Sequence, residues 1–283
     1  MTGSTGRVAA IPAGQGRKGK GMIILGLASI AMLFVLYSRY QDSELLTPDA
    51  INIIQRLAYG FYIALLASFG AISYGLYIYH KDKARNAKRG IASVIALATW
   101  NPKSRKIFVI TFVGYGLFFS LASGTLVYQP EVNFAIHYGA DIPSGFVAPC
   151  CGELGYMPKI IIYLTEHIGL QIVPINLVLQ ITVSYLVALN VSLAASAYGI
   201  SKKDKGIGTV GAITGLFIAC PTCAGTFSSL IIGTASAIAL TATLVQLQTV
   251  FIGISIPVLF AAMIIMAKKL QNPDGSCKID PTT

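Results

Sequence analysis

Long apolar runs separated by short charged stretches dominate the chain. The runs cover Gly21–Leu36 with an extension to Tyr40, Leu57–Tyr79, Ile107–Tyr128, Ile175–Ile200, Ile207 to about Ala242, and Val250–Ala267. Runs of about 20 residues match the length that a helix needs to cross about 30 Å of hydrocarbon. None carries the polar stripe of a buried helix in a soluble protein. The pattern predicts an all-α, polytopic membrane bundle of about six transmembrane helices.

The composition agrees with this class of protein. Of the 283 residues, 54% are hydrophobic and only 11% are charged, and the mean hydropathy is +0.69. A soluble domain carries about 25% charged residues, so a water-exposed surface of ordinary composition cannot be built here. We expect a multi-pass protein of the cell membrane whose main partner is the lipid bilayer.

The two ends of the chain are expected to be polar tails. Residues 1–20 lack periodicity and are interpreted as a flexible tail, and residues 270–283 as a second one. The basic stretch before the first run resembles the start of a signal peptide, but no small-residue cleavage site follows it. We therefore expect a six-span domain over residues 21–269 in which the first run is retained.

Positive charges fix the expected orientation, because lysine and arginine near span ends resist translocation. With the N-terminus inside, 18 of the 21 basic residues lie on the inner side, leaving only Arg39, Arg56 and Lys159 outside. Seven of the 11 acidic residues lie outside. Both termini are therefore predicted to be cytoplasmic. The net charge of +10 reflects these flanks facing anionic headgroups, and no nucleic-acid partner is expected.

The predicted inner loop over residues 80–106 is the most basic part of the chain. Its apolar second half, Gly90–Trp100, fits a short surface-lying helix anchored by Trp100. A docking site for a protein partner is the alternative interpretation.

No Asp, Glu, Lys, Arg or His falls inside any of the six runs, and Arg39 lies only in the extension of the first. Ion-driven transporters, proton pumps and voltage sensors need such groups in the membrane, and a haem-carrying subunit needs axial ligands there. Neutral polar residues concentrate in the fourth run, where interhelical hydrogen bonding is their expected role. These residues are Asn176, Gln180, Thr182, Ser184, Asn190 and Ser192.

The cysteines carry the specific chemical signal. Cys277 lies in the polar tail and is expected to be a free thiol. Cys220-Pro221-Thr222-Cys223 begins about 20 Å along the fifth run at helical rise. Pro221 must kink or stop the helix, and it favours a new helix for which Cys220 is the N-cap. A thiol at a helix N-terminus is acidified, which suits thiol exchange or a soft metal.

The fifth run is also too long for one straight span. Ile207 to Ala242 would extend about 54 Å as a continuous helix, against about 30 Å of hydrocarbon. A broken backbone at membrane depth is tolerated only where protein or water covers it. The break makes Cys220–Gly225 the best candidate for a functional site.

A second cysteine pair, Cys150-Cys151, lies in the predicted outer loop over residues 129–173. Vicinal cysteines seldom bond each other, because the geometry is strained. The same loop holds His137 and His167, and Tyr156–Leu170 is predicted to form an interfacial helix over the fifth region.

Three interpretations of the four cysteines compete. Cys150 or Cys151 exchanges with Cys220 and Cys223 in a thiol-redox relay, or the cysteines form structural disulfides that pin the loop to the bundle. In the third, the four thiols, with His137 or His167, hold copper(I) or zinc.

The helix-end Cys220-Pro221-Thr222-Cys223 and the loop pair Cys150-Cys151 resemble the layout of vitamin K epoxide reductase and the DsbB-type membrane thiol oxidoreductases. The resemblance implies that Cys220 and Cys223 are the pair beside a quinone and that Cys150 and Cys151 are the shuttle. The loop pair here is vicinal and the predicted bundle has six spans, where those families have a four-helix core. The CCG and CPTC motifs are also similar to those of uncharacterised archaeal polytopic membrane proteins.

A different class of function remains open on the same sequence. Small-residue faces, spans without charges and a compact size fit a non-catalytic subunit of a larger respiratory or monooxygenase complex, with other membrane subunits as partners.

Overall fold

The computed structural model describes residues 15–40, 48–85, 90–149, 154–201 and 255–271. Its helices are α1 (Gln15–Ser38), α2 (Pro48–Arg85), α3 (Ile91–Trp100), α4 (Pro102–Ala122), α5 (Phe134–Tyr138) and α6 (Pro174–Ser201). A further helix, α7, covers residues 255–269. Its strands are β1 (Leu126–Tyr128), β2 (Ser144–Ala148), β3 (Lys159–Tyr163) and β4 (Ile168–Ile172). The predicted fifth run and its broken helix lie outside the described residues.

Within the described ranges, four helices are long and apolar enough to cross a membrane, which indicates a membrane protein. These candidate spans are Gly16–Ser38, Asn52–Arg85, Pro102–Leu121 and Pro174–Ala197. They coincide with the first four predicted runs, so the mostly helical architecture is confirmed for these four elements. The described part of α7 covers most of the sixth run but is shorter than a bilayer span.

Small residues bring α1 and α2 into close contact along their length. A Cβ atom added to Gly75 would lie 2.9 Å from the carbonyl oxygen of Gly19. A Cβ atom added to Gly26 would lie 2.5 Å from the side chain of Ile72. Glycine at such positions lets two membrane helices approach until their backbones touch. The two helices therefore form an antiparallel hairpin whose spacing depends on these glycines.

The apolar stretch before Trp100 forms a helix, as predicted, but this helix does not lie free on the surface. One face of α3 packs against α6 and α7 in a core cluster that includes Val94, Leu97, Leu193 and Met263. Five of its ten residues are buried. Because the segment is apolar on nearly every side, the sequence did not show that protein rather than lipid covers it.

Between α4 and α6 the chain forms a small antiparallel sheet with the strand order β1-β4-β3-β2. The interfacial helix predicted over Tyr156–Leu170 is wrong, because this segment contains β3 and most of β4. Its β-branched isoleucines favour a pleated, half-buried strand.

The third run is also shorter than predicted. The α4 helix ends at Ala122, and Gly124, at φ +70°, turns the chain into β1.

The sheet has one face on the helices and one face under α5. Val147, Ile160 and Ile172 are paired across β2, β3 and β4. Val147 is part of the core cluster formed by α1 and α2, and the two isoleucines pack against it. On the other face, Phe134 of α5 is only 3% exposed, and its ring centroid lies 5.3 Å from that of Tyr163. The sheet is therefore a cap packed onto one end of the bundle.

The connections divide the bundle into two ends of different charge. We call the end that carries the sheet the sheet end, and the end where α2, α3 and α4 meet the basic end. The described cations of the basic end are Arg17, Lys18, Lys20, Lys81, Lys83, Arg85, Lys103, Arg105, Lys106, Lys268 and Lys269. The sheet end carries Arg39, Arg56 and Lys159. The long stems of lysine and arginine let helices run past the hydrocarbon to place charge among headgroups.

Candidate functional site

All five cysteines lie outside the described residues: Cys150, Cys151, Cys220, Cys223 and Cys277. Their pairing and the broken helix at Cys220 therefore stay predictions. The chain on both sides of the loop pair is described, up to Pro149 and from Leu154 onward. The geometry of these two flanks defines where the loop pair is attached to the bundle.

The upstream flank is attached to α1. The hydroxyl of Tyr37 donates a hydrogen bond to the carbonyl oxygen of Pro149 over 2.5 Å. The Tyr37 side chain is only 4% exposed, so the loop backbone is bonded to a group inside the α1–α2 cluster. Three residues before Cys150, Val147 is also buried in that cluster. The last described residue before the cysteines is thus fixed to a candidate membrane span.

The downstream flank is attached to α1 and α6. Gly155 adopts φ +85°, and a Cβ atom there would lie 3.1 Å from the Cβ of Ile175 and 3.5 Å from the ring of Phe34. The amide of Ile175 donates to the carbonyl oxygen of Gly155 over 2.9 Å. A positive φ and this close approach both require glycine. The chain after the cysteine pair is therefore held in the corner between two candidate spans.

A second tyrosine strengthens this attachment from α2. The Tyr62 hydroxyl lies 2.6 Å from the carbonyl oxygen of Pro158 and 3.0 Å from that of Ile172. Its single proton can be shared between the two acceptors, at the start of β3 and at the end of β4. A buried carbonyl left without a donor costs about 1–3 kcal/mol. Tyr62 thus provides a hydrogen-bond donor for these carbonyl groups and fixes the sheet to α2.

Beside these anchors an apolar groove opens between α1 and α2. Tyr37 packs against Phe61, with ring centroids 5.1 Å apart, and Phe61 in turn packs against Phe34 at 5.8 Å. The groove is lined by Leu33, Leu36, Tyr37, Tyr40, Leu57, Gly60 and Phe61. Aromatic rings near a span end suit the boundary between hydrocarbon and water. Tyr37, which hydrogen-bonds the carbonyl oxygen of Pro149, is thus also part of the groove wall.

The two histidines proposed as metal ligands lie in the sheet cap. The ring of His137 in α5 meets that of Tyr138 edge-on, with centroids 4.7 Å apart. The Nδ1 of His167 lies 3.1 Å from the carbonyl oxygen of Val132. Among the described residues, no group of three or more histidine, cysteine or acidic side chains is arranged to hold a metal ion. A copper or zinc site would need the cysteines themselves.

Half of the six polar residues of the fourth run make the expected interhelical hydrogen bonds. Asn190 is fully buried, and its Nδ2 lies 2.9 Å from the carbonyl oxygen of Leu186 and 3.0 Å from that of Leu259 in α7. Gln180 donates to the carbonyl oxygen of Gly116 in α4 over 2.9 Å. Thr182 differs, because its hydroxyl donates within its own helix to Val178. Ser192 is the third that connects helices, because its hydroxyl donates to the carbonyl oxygen of Ala98 in α3.

One polar contact was missed in the sequence. The ring of His80 at the end of α2 lies with Nδ1 2.9 Å from the Thr99 hydroxyl and with Nε2 3.4 Å from the Tyr185 hydroxyl. The sequence indicates for His80 only a place at the start of the basic inner loop over residues 80–106. The three side chains join α2, α3 and α6, and nothing in the spacing of a lone histidine indicated this contact.

No protein-family model, curated protein or solved structure matches the chain. The likeness to the membrane thiol oxidoreductases therefore rests on the cysteine motifs alone.

Proposed function

We propose that this chain is a multi-pass protein of the cell membrane that carries out a thiol-redox relay. The loop pair, Cys150 and Cys151, exchanges disulfide bonds with Cys220 and Cys223 of the fifth run. The supporting observation is the attachment of the loop pair on both sides. The carbonyl oxygen of Pro149 accepts a hydrogen bond from Tyr37 of α1, and Gly155 is packed between α1 and α6.

This attachment favours exchange with a thiol in the bundle. Five residues, 150–154, separate the two anchored positions. A segment this short has a limited reach, since an extended chain spans at most about 3.6 Å per residue. The loop thiols therefore stay near the sheet-end termini of α1 and α6. Holding two reactants together in this way raises their effective concentration greatly.

The proposed orientation follows from charge. We place both termini in the cytoplasm and the sheet end outside, because most of the cations gather at the basic end. The outer side is the oxidising side on which disulfides persist. The loop pair is then exposed to thiol substrates outside the cytoplasm.

The relay is balanced in electrons and protons. A loop thiolate attacks the Cys220–Cys223 disulfide and releases one of its sulfurs as a thiolate, which leaves a mixed disulfide. The second loop thiolate attacks the loop sulfur of that bond, which gives a strained vicinal disulfide between Cys150 and Cys151 and a reduced Cys220/Cys223 pair. Its strain makes this loop disulfide readily reduced, as a shuttle requires. A quinone then accepts two electrons and two protons and becomes a quinol, which restores the Cys220–Cys223 disulfide. An external dithiol reduces the loop pair and is itself oxidised.

The test is thiol trapping in cells that can be supplied with or depleted of quinone. Cells are treated with an alkylating agent before lysis, and each cysteine is scored as alkylated or bonded by peptide mass spectrometry. Cys220 and Cys223 are expected to be largely bonded when quinone is present and largely alkylated when it is depleted. Cys277, in the tail, is the internal control and should be alkylated under both conditions.

Two outcomes contradict the relay. A Cys220/Cys223 pair whose state is the same with and without quinone indicates structural disulfides or inert thiols. Thiols that react only after a chelator is added, together with copper or zinc in the purified protein, indicate a metal site instead.

A further inference from the structure

A cleft opens at the basic end, away from the cysteines, where α3 meets α4. It is lined by Trp100, Pro102, Arg105, Lys106, Val109 and Ile110. None of these lining residues takes part in the proposed relay. It combines a cationic surface, which suits a headgroup phosphate, with an apolar surface, which suits an acyl chain.

The polar part of the cleft is cationic and the deeper part is apolar. Arg105 and Lys106 are both exposed in the first turns of α4. Val109 and Ile110, one turn further into the candidate span, are 48% and 72% exposed. Two cations above an apolar strip match a headgroup phosphate above an acyl chain. Arginine also forms bidentate hydrogen bonds with phosphate oxygens.

The α3–α4 junction, residues 100–102, forms the cleft and is held in place by the rest of the bundle. The Ser192 hydroxyl on α6 donates to the carbonyl oxygen of Ala98 over 2.7 Å. The buried side chain of Asn101 caps α4 by accepting from the amide of Lys103 over 3.1 Å. The helix N-terminus adds positive potential beside the cations. The cleft is therefore preformed, which lowers the entropic cost of binding.

Trp100 is fixed at the mouth of the cleft by α2. Its ring centroid lies 5.6 Å from that of Tyr77, and the Nζ of Lys81 lies 5.5 Å from the Tyr77 centroid. Tryptophan prefers the headgroup level of a bilayer. Lys81 adds a further cation close by, and the described residues that line the cleft include no acidic side chain.

We propose that this cleft binds one anionic diacyl phospholipid. Arg105 and Lys106 bind its phosphate and anionic headgroup, Trp100 packs at the level of its glycerol esters, and one acyl chain lies along Val109 and Ile110. The apolar strip favours a lipid over an acidic segment of a protein, which would use the cations and leave Val109 and Ile110 uncovered.

The chain itself provides the probe, because Trp100 is its only tryptophan. The full-length protein is reconstituted in zwitterionic phosphatidylcholine bilayers. A small fraction of phosphatidylglycerol, with a spin label high on one acyl chain, is then included. If the lipid occupies the cleft, this fraction should quench Trp100 fluorescence at least about fivefold more than the same fraction of labelled phosphatidylcholine.

Two double variants separate a specific site from general attraction. Arg105→Gln/Lys106→Gln should remove the preference for phosphatidylglycerol, because a charged hydrogen bond is worth about tenfold or more in affinity. Lys268→Gln/Lys269→Gln removes the same charge from exposed positions at the same end and should leave the preference intact. Arg105→Gln alone should weaken it partially and serves if the double variant does not fold.

Three results overturn the proposal. The first is equal quenching by the two labelled lipids in the wild-type protein. The second is an equal loss of preference in both double variants, which indicates bulk electrostatics at the membrane surface. The third is displacement of the labelled lipid by an acidic peptide but not by unlabelled phosphatidylglycerol, which indicates a protein partner.

Discussion

The Tyr37 hydroxyl of α1 donates to the carbonyl oxygen of Pro149 over 2.5 Å, one residue before the loop cysteine pair. The two residues are 112 positions apart in the chain. A side chain buried in a candidate membrane span thus bonds directly to the backbone that leads into Cys150. The described chain on either side of the loop cysteines is held by this contact and by the packing of Gly155.

Removing the Tyr37 hydroxyl should loosen the loop. In Tyr37→Phe the ring packing remains, but the Pro149 carbonyl loses its donor. Losing this hydrogen bond, worth about 1 kcal/mol, should raise the population of the detached loop roughly fivefold. Alkylation of Cys150 and Cys151 should accelerate by that factor when Cys220, Cys223 and Cys277 are replaced by serine.

Tyr40→Phe is the control for this experiment, because Tyr40 is 51% exposed and lines the same groove. It should leave the alkylation rate unchanged. An equal rate in the wild type and in Tyr37→Phe would mean that the hydrogen bond does not restrain the loop.

The α1–α2 hairpin should tolerate no side chain at Gly75. A Cβ atom there meets the backbone carbonyl oxygen of Gly19 at 2.9 Å, so Gly75→Ala must push the helices apart. Overpacking of this kind costs about 1–3 kcal/mol. The melting temperature in detergent should fall. At Gly70 on the same helix, no heavy atom from the described part of the other elements lies within 4 Å of an added Cβ, so Gly70→Ala should be neutral or stabilising. Equal melting temperatures for the two variants would count against the packing described.

The hydrogen bond from α6 to α7 should contribute to stability. Asn190→Leu removes the donor near the carbonyl oxygen of Leu259 and is expected to cost about 0.6–2 kcal/mol, the range for buried hydrogen bonds in membrane proteins. Thr182→Val is the matched control, because that hydroxyl bonds only its own helix. The free energy of unfolding in mixed micelles is measured for both variants. A greater loss in Thr182→Val would contradict the arrangement.

The sheet cap should depend on Phe134. The side chain is 3% exposed and packs on Tyr163 of β3, so Phe134→Ala should cost about 3–5 kcal/mol. Hydrogen exchange of the β3 and β4 amides should accelerate strongly. Ile136→Ala in the same short helix is the control, since Ile136 is 84% exposed. Unchanged exchange in Phe134→Ala would show that α5 does not hold the sheet.

The sequence predicted the membrane helices better than their surroundings. A continuous apolar run is itself the physical requirement for a span, so α1, α2, α4 and α6 were identified, with ends displaced by several residues. α2 runs on to Arg85, because charged side chains with long stems continue a helix beyond the hydrocarbon.

The sheet cap was not predicted, because strand pairing joins distant segments. The isoleucines of β3 form a strand only when β4 and β2 pair beside them, and a short apolar run does not distinguish helix from strand. For the candidate site, the sequence indicated the cysteines. The roles of Tyr37 and Tyr62 required the fold, since a tyrosine at a span end is equally typical of an interface anchor.

Trapping the mixed disulfide between the loop and the fifth run tests the relay most directly. Four double variants in a Cys277→Ser background each keep one loop cysteine and one of Cys220 and Cys223, so that an exchange intermediate cannot be resolved. The relay predicts that at least one of them accumulates a loop-to-helix disulfide in cells, while the protein with all four cysteines shows a mixture of bonding states. A single fixed bonding pattern in that protein under every quinone condition, or no crosslink in any of the four variants, would contradict the relay.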